Sequence, residues 1–124
     1  MDIELFEPED IPQLPANVKI ERLTAVAYPD GWRVRLGVEV TPFLERPSLE
    51  ITVHAADGRS VVPISLSVIE TMHHSMEFTV HIRGVTNPAG QYVARAELYY
   101  EAVDQPQAQA EMPFSIVEPK IPTA

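Results

Sequence analysis

Trp32-Arg33-Val34-Arg35-Leu36-Gly37-Val38-Glu39-Val40 is the stretch on which the fold turns. Apolar residues at every second position alternate with Arg33, Arg35, Gly37 and Glu39. That is the period of a β-strand with one face in a core and the other in water. Asp30-Gly31 stands just before it. Glycine accepts positive φ without steric cost, so this pair predicts a hairpin turn. Upstream, Val18-Lys19-Ile20-Glu21 begins the same alternation, and Leu23, Ala25 and Ala27 continue the apolar frame. The step from Ile20 to Leu23 is odd-numbered, which moves the inward face by one residue. A β-bulge near Glu21–Arg22 is the expected cause.

Downstream, Thr41-Pro42 and Arg46-Pro47 bracket a connection. Leu49, Ile51, Val53 and Ala55 then form an inward row, with Glu50, Thr52 and His54 outward, and Asp57-Gly58 marks a turn. Val62, Ile64, Leu66 and Val68 alternate with Pro63, Ser65 and Ser67. Pro63 has no N–H for a ladder, so this strand belongs at a sheet edge. Residues 70–75 read as a loop, and Met76, Phe78, Val80 and Ile82 as the next inward row. After the turn Asn87-Pro88-Ala89-Gly90, residues 92–103 admit two readings. Tyr92, Ala94, Ala96, Leu98 and Tyr100 fit a strand, whereas Tyr92, Ala96, Tyr99 and Val103 fit a helical stripe among good helix formers. The strand is favoured because five alternating segments precede it at hairpin spacing. Ala108, Ala110, Met112, Phe114 and Ile116 form the last row, with Pro113 again marking an edge. Seven strands with short connections predict an all-β, two-sheet antiparallel sandwich.

The composition bounds what such a sandwich does. A chain of 124 residues makes one domain, here 17–117, between an acidic, Pro-rich N-terminal tail (1–16) and a C-terminal tail (118–124). With no Cys, disulfides and thiolate chemistry are excluded. A net charge of −9 argues against nucleic acid as a partner, and no apolar run approaches the length of a membrane span. Asp2, Ile3 and Glu4 follow Met1 directly, so no secretory signal is visible and a cytoplasmic location is the expectation. Leu5 and Phe6 stand among the acids of the front tail, with Ile3, Ile11 and Leu14, as candidate anchors of a linear binding motif.

The segment Asn87-Pro88-Ala89-Gly90-Gln91-Tyr92-Val93-Ala94 resembles the Gly-x-Tyr signature that opens strand F of immunoglobulin-like and fibronectin type III-like sandwiches. In antibody-type domains that frame reads Asp-x-Gly-x-Tyr-x-Cys; here Pro88 stands in place of the Asp and Ala94 in place of the Cys. The strand–turn–strand pattern over 49–68 is similar to bacterial Ig-like modules. The resemblance covers residues 17–117 and implies a scaffold that binds proteins or glycans. It implies no catalytic residues.

Candidates for chemistry are few. His73 and His74 are neighbours in a loop, and His54 and His81 point outward from different strands. A zinc site needs about four converging ligands, and these four do not predict one. Glu50, Glu77 and Glu97 read as solvated strand faces, without the paired frame of a glycosidase. No metal, cofactor or enzymatic activity is expected. Val93, Tyr99 and Val117, together with Ile69, fall in the polar register of their strands. If strands 90–101 and 108–117 are neighbours, Val93 and Val117 lie close on one outer face, with Tyr99 farther along it. The expected function is therefore a non-catalytic protein-interaction or structural module, using that face, an edge strand or the acidic tail. Self-association through edge strands is one form of this. The alternative is a carbohydrate-binding module, with Trp32, Tyr28 and Tyr99 as stacking aromatics.

Overall fold

In the computed structural model, which describes residues 11–57 and 63–118, the alternating stretches become seven strands. They are β1 (Ile20–Ala27), β2 (Arg33–Val40), β3 (Ser48–Ala55), β4 (Ile64–Val68), β5 (Ser75–His81), β6 (Gly90–Tyr99) and β7 (Ala108–Ile116). Antiparallel pairing gives a three-stranded sheet, β1-β2-β5, and a four-stranded sheet, β4-β3-β6-β7. The chain is thus an all-β sandwich of two antiparallel sheets.

The register between β1 and β2 shifts between Ile20 and Arg22, at the odd step in the sequence. Gly31, at φ 77°, closes the β1–β2 hairpin. The inward row of β2 is sealed, with Val34, Leu36 and Val38 wholly inaccessible. Facing it are Leu49, Ile51 and Val53 of β3 and Tyr92, Ala94, Ala96 and Leu98 of β6. Burial this complete contributes about 1.5–3 kcal/mol for each Val or Leu.

Residues 90–99 are strand, which settles the two readings of this segment. β6 lies between β3 and β7, so its backbone is paired on both sides. A helix would leave both neighbours unpaired. Unpaired buried backbone costs more than the few tenths of a kcal/mol per residue that helix propensity offers. β4 and β7 are sheet edges, as Pro63 just before β4 and Pro113 within β7 require.

Residues 11–16, expected to belong to the front tail, are attached to the sandwich. Gln13 forms a parallel bridge with Phe43, and Pro15–Asn17 make a single 3-10 turn. The Gln107 side-chain amide donates to the carbonyls of Pro15 (2.7 Å) and Val18 (2.9 Å). Leu5 and Phe6 lie outside the described residues, as do Gly58 and Val62.

Candidate functional site

Strand polarity divides the connections between two ends of the sandwich. One end holds the β1–β2 hairpin and the 82–89 connection. The other holds residues 11–19, which lead into β1, and the connections 41–47, 69–74 and 100–107.

The hairpin end is closed by its own polar groups. Asp30 accepts the backbone N–H groups of Trp32 (3.0 Å) and Arg33 (3.1 Å) on one oxygen and the Arg33 side chain (2.7 Å) on the other. The Trp32 N–H foremost, then the Arg33 side chain, lower the Asp30 pKa from 3.8 to about 2. The Arg33 guanidinium lies 4.4 Å from the centre of the Tyr28 ring, and the Tyr28 hydroxyl meets that of Thr79 at 3.3 Å. Trp32 packs against the core. Two of the three aromatics considered for sugar stacking are thus engaged within the hairpin. Nearby, the Tyr92 hydroxyl donates to the buried Pro88 carbonyl at 2.6 Å, and its ring stacks on Phe114 at 5.5 Å.

On the outer face of the four-stranded sheet several polar side chains pair with one another, although the buried Arg95 Nε has no hydrogen-bond partner among the described residues. Ser65 and Ser67 both donate to Glu50 (2.5 and 2.6 Å). Arg95 bonds Gln109 at 3.0 Å and pairs with Glu97 at 3.6 Å. β6 and β7 are neighbours, as the outer-face patch required, but the patch does not assemble. Val93 is half-buried opposite Pro113. Val117, 77% exposed, lies one residue beyond β7. Four residues of strand rise, about 13 Å, separate Pro113 from Val117. Between them the Ser115 hydroxyl donates to Gln91 at 2.9 Å. Tyr99 occupies the outward register expected of it, opposite Ser48, yet only 9% of it is exposed. Connections at the loop end surround it, so the expectation of an exposed Tyr99 is corrected.

The loop end differs from both of these surfaces. Among the described residues, eight large apolar side chains are at least half exposed, and six of them are here. They are Ile11 and Leu14 before β1, Leu44 between β2 and β3, Ile69 and Met72 between β4 and β5, and Val103 between β6 and β7. Beside them opens a cleft of about 850 Å³. Tyr99 and Ser48 line it on the sheet side, with Tyr100 and Glu101 from the end of β6. Glu45, Arg46, Ile69, Glu70 and Pro15 complete it.

Hydrogen bonds between connections fix this cleft. The Glu70 N–H donates to the Ser48 hydroxyl (2.9 Å) and the Thr71 N–H to the Pro47 carbonyl (2.9 Å). Glu70 itself adopts a left-handed backbone, φ 47°, a conformation costly for a residue with a side chain. The Tyr100 hydroxyl donates to the Glu45 carbonyl at 2.9 Å. Burial, and secondarily the Glu45 charge, raise the Tyr100 pKa above its ordinary value. Leu44, Met72, Glu45, Glu101 and Tyr100 did not emerge as site residues from the sequence. The available signal was apolar residues inside connections, where polar ones are the rule.

His54 and His81 are exposed on β3 and β5, in different sheets. Among the described residues no three His, Asp or Glu side chains are grouped to hold a metal ion, and no helix is long and apolar enough to cross a membrane.

No known protein-family model matches the chain, and no curated protein does. Among solved structures it is similar to a family 76 glycoside hydrolase from a bovine Bacteroides thetaiotaomicron strain, with a TM-score of 0.62 and 10% sequence identity. The match covers 79% of this chain and 20% of the other, so the chain spans about one fifth of that protein's length. At this identity the likeness shows the fold alone.

Proposed function

We propose that the chain is a non-catalytic, immunoglobulin-like module that binds another protein through the loop end of its sandwich. The observation that carries this is the gathering of Ile11, Leu14, Leu44, Ile69, Met72 and Val103 at one end. Single exposed apolar residues are ordinary. Their concentration in one region marks an interaction surface. The polar outer face around Val93 offers no comparable concentration, and Tyr99 serves this reading as a wall of the cleft.

Two features support the immunoglobulin-like, fibronectin type III-like reading. The sheets β1-β2-β5 and β4-β3-β6-β7 differ from the constant-type order only in that the fourth strand lies beside the third instead of the fifth. In addition, Tyr92 near the start of β6 bonds the Pro88 carbonyl four residues upstream. That bond has the form of the tyrosine corner of such sandwiches, which supports the reading. The likeness to one fifth of a glycoside hydrolase fits a fold that serves as one part of a larger protein.

The test is affinity capture from native extract with three baits: the full chain, Leu44→Glu/Met72→Glu, and Val93→Glu. A stoichiometric partner held by the first and third baits and lost from the second is the expected result. Leu44→Glu/Met72→Glu leaves stability within about 0.5 kcal/mol, since both residues are exposed, and urea unfolding of the Val93→Glu bait checks that this half-buried change keeps the fold. Capture that survives Leu44→Glu/Met72→Glu overturns the reading.

A second reading, a carbohydrate-binding module, is favoured by one observation: Tyr99 and Tyr100 share the cleft with three carboxylates able to accept hydroxyl hydrogen bonds. Saturable shifts of their ring resonances with an oligosaccharide would support it. Trp32 is at the opposite end and would report nothing.

A further inference from the structure

We infer that the cleft beside Tyr99 is a receptor for a basic side chain, an arginine before a lysine, presented by the protein partner. This rests on the loop end being the partner surface. Three carboxylates, Glu45, Glu70 and Glu101, line the cleft against one cation, Arg46. None of the three has an ion-pair partner among the described residues. Such uncompensated charge around a concave site favours a cation.

Tyr99 points to the same ligand independently. The residue is nine-tenths buried, and the part that remains exposed lines the cleft. Its hydroxyl has no hydrogen-bond partner among the described residues, whereas the hydroxyls of Tyr28, Tyr92 and Tyr100 each have one. That oxygen belongs to the part of Tyr99 still open to solvent at the cleft, where a ligand can reach it. A phenol oxygen accepts a hydrogen bond, including one from a cationic N–H. A guanidinium offers five N–H donors in a planar fork, which suits a phenol and flanking carboxylates at once. The bonds from Glu70 to Ser48, Thr71 to Pro47 and Tyr100 to Glu45 hold the walls before any ligand arrives. Little ordering is then needed on binding, which raises affinity.

The experiment is an amide-resonance titration of the full chain with three probes: acetyl-Gly-Arg-Gly-amide, its citrulline analogue, and the neutral oligosaccharide maltohexaose. Concentrations reach about 20 mM, enough to register millimolar affinity. The expected result is saturable shifts at Ser48, Glu70, Tyr99 and Glu101 with the arginine peptide alone. They fade at about 0.5 M NaCl, as screening requires. Glu70→Gln/Glu101→Gln weakens the arginine peptide by about tenfold or more, while the backbone bonds that fix the walls remain. Equal shifts with the citrulline peptide overturn the inference, as does the absence of saturable shifts at these amides. Shifts with maltohexaose alone also overturn it and favour the carbohydrate reading. If the peptide fails while Leu44→Glu/Met72→Glu still abolishes capture, the loop end stands and the cation receptor falls. If the peptide binds while capture ignores those substitutions, the partner reading falls instead.

Discussion

The two ends of this sandwich solve the same problem in opposite ways. Each must bring the chain from one strand to the next. The hairpin end does so with local hydrogen bonds that leave few groups free: Asp30 clasps Trp32 and Arg33, and Tyr92 reaches back to Pro88. The loop end fixes its connections with backbone bonds between loops, yet leaves leucine, isoleucine and methionine side chains uncovered. The first arrangement stabilises the fold. The second holds apolar groups in place without covering them, and a protein surface built so is suited to being covered by something else.

Perturbations that separate the ends sharpen this contrast, beginning with one that abolishes it. Leu36→Ala removes a wholly buried side chain common to both ends. It is expected to cost about 2–5 kcal/mol in urea unfolding and to lose partner capture with the fold. Tyr92→Phe acts at the hairpin end alone. It deletes the 2.6 Å bond to Pro88 and leaves a buried carbonyl unpaired, at about 1–3 kcal/mol. Arginine-peptide shifts at the cleft are expected to be unchanged. Gly37→Ala probes the sheet face between the ends. An added Cβ would stand 2.5 Å from the Thr24 hydroxyl, so Thr24 must move, and a loss of about 1 kcal/mol is expected. Leu44→Glu/Met72→Glu leaves the unfolding midpoint nearly unchanged and removes capture.

The smallest effect is the most local. The Asp30 carboxyl titrates at about 2 in the folded chain against 3.8 ordinarily. A carboxylate with a depressed folded pKa contributes stability in full above its unfolded value and loses it as pH falls through the folded one. The contribution of this exposed clasp therefore disappears between about pH 4 and pH 2. Carbon-detected titration of Asp30 reads the midpoint directly, and Asp30→Asn removes this part of the acid dependence.

What the sequence made legible followed the strand period. The row from Val34 to Val40 and the odd step after Ile20 both show which face is buried, so β2 and its bulge were readable. Proline removes a donor wherever it stands, so the edges at Pro63 and Pro113 were readable too. Residues 92–103 were ambiguous because alanine, glutamate and arginine carry helix propensity, and only pairing with β3 and β7 decides against it. Tyr99 marks where the period stops informing. Alternation assigned it to an outer face correctly, but the connections that surround that spot have no period of their own. For the same reason Leu44 and Met72 went unread: an apolar residue in a loop gives no sign of the side it faces. Val93 and Val117 erred in the other direction, since shared parity on neighbouring strands does not place two residues side by side.

The most direct test of the loop end as the partner surface is hydrogen exchange of the captured complex against the free chain. Slowed exchange in residues 41–47 and 69–74, with residues 28–33 and 83–89 unchanged, is the predicted result. Protection confined to the hairpin end, or to the β6–β7 face around Val93, would contradict it.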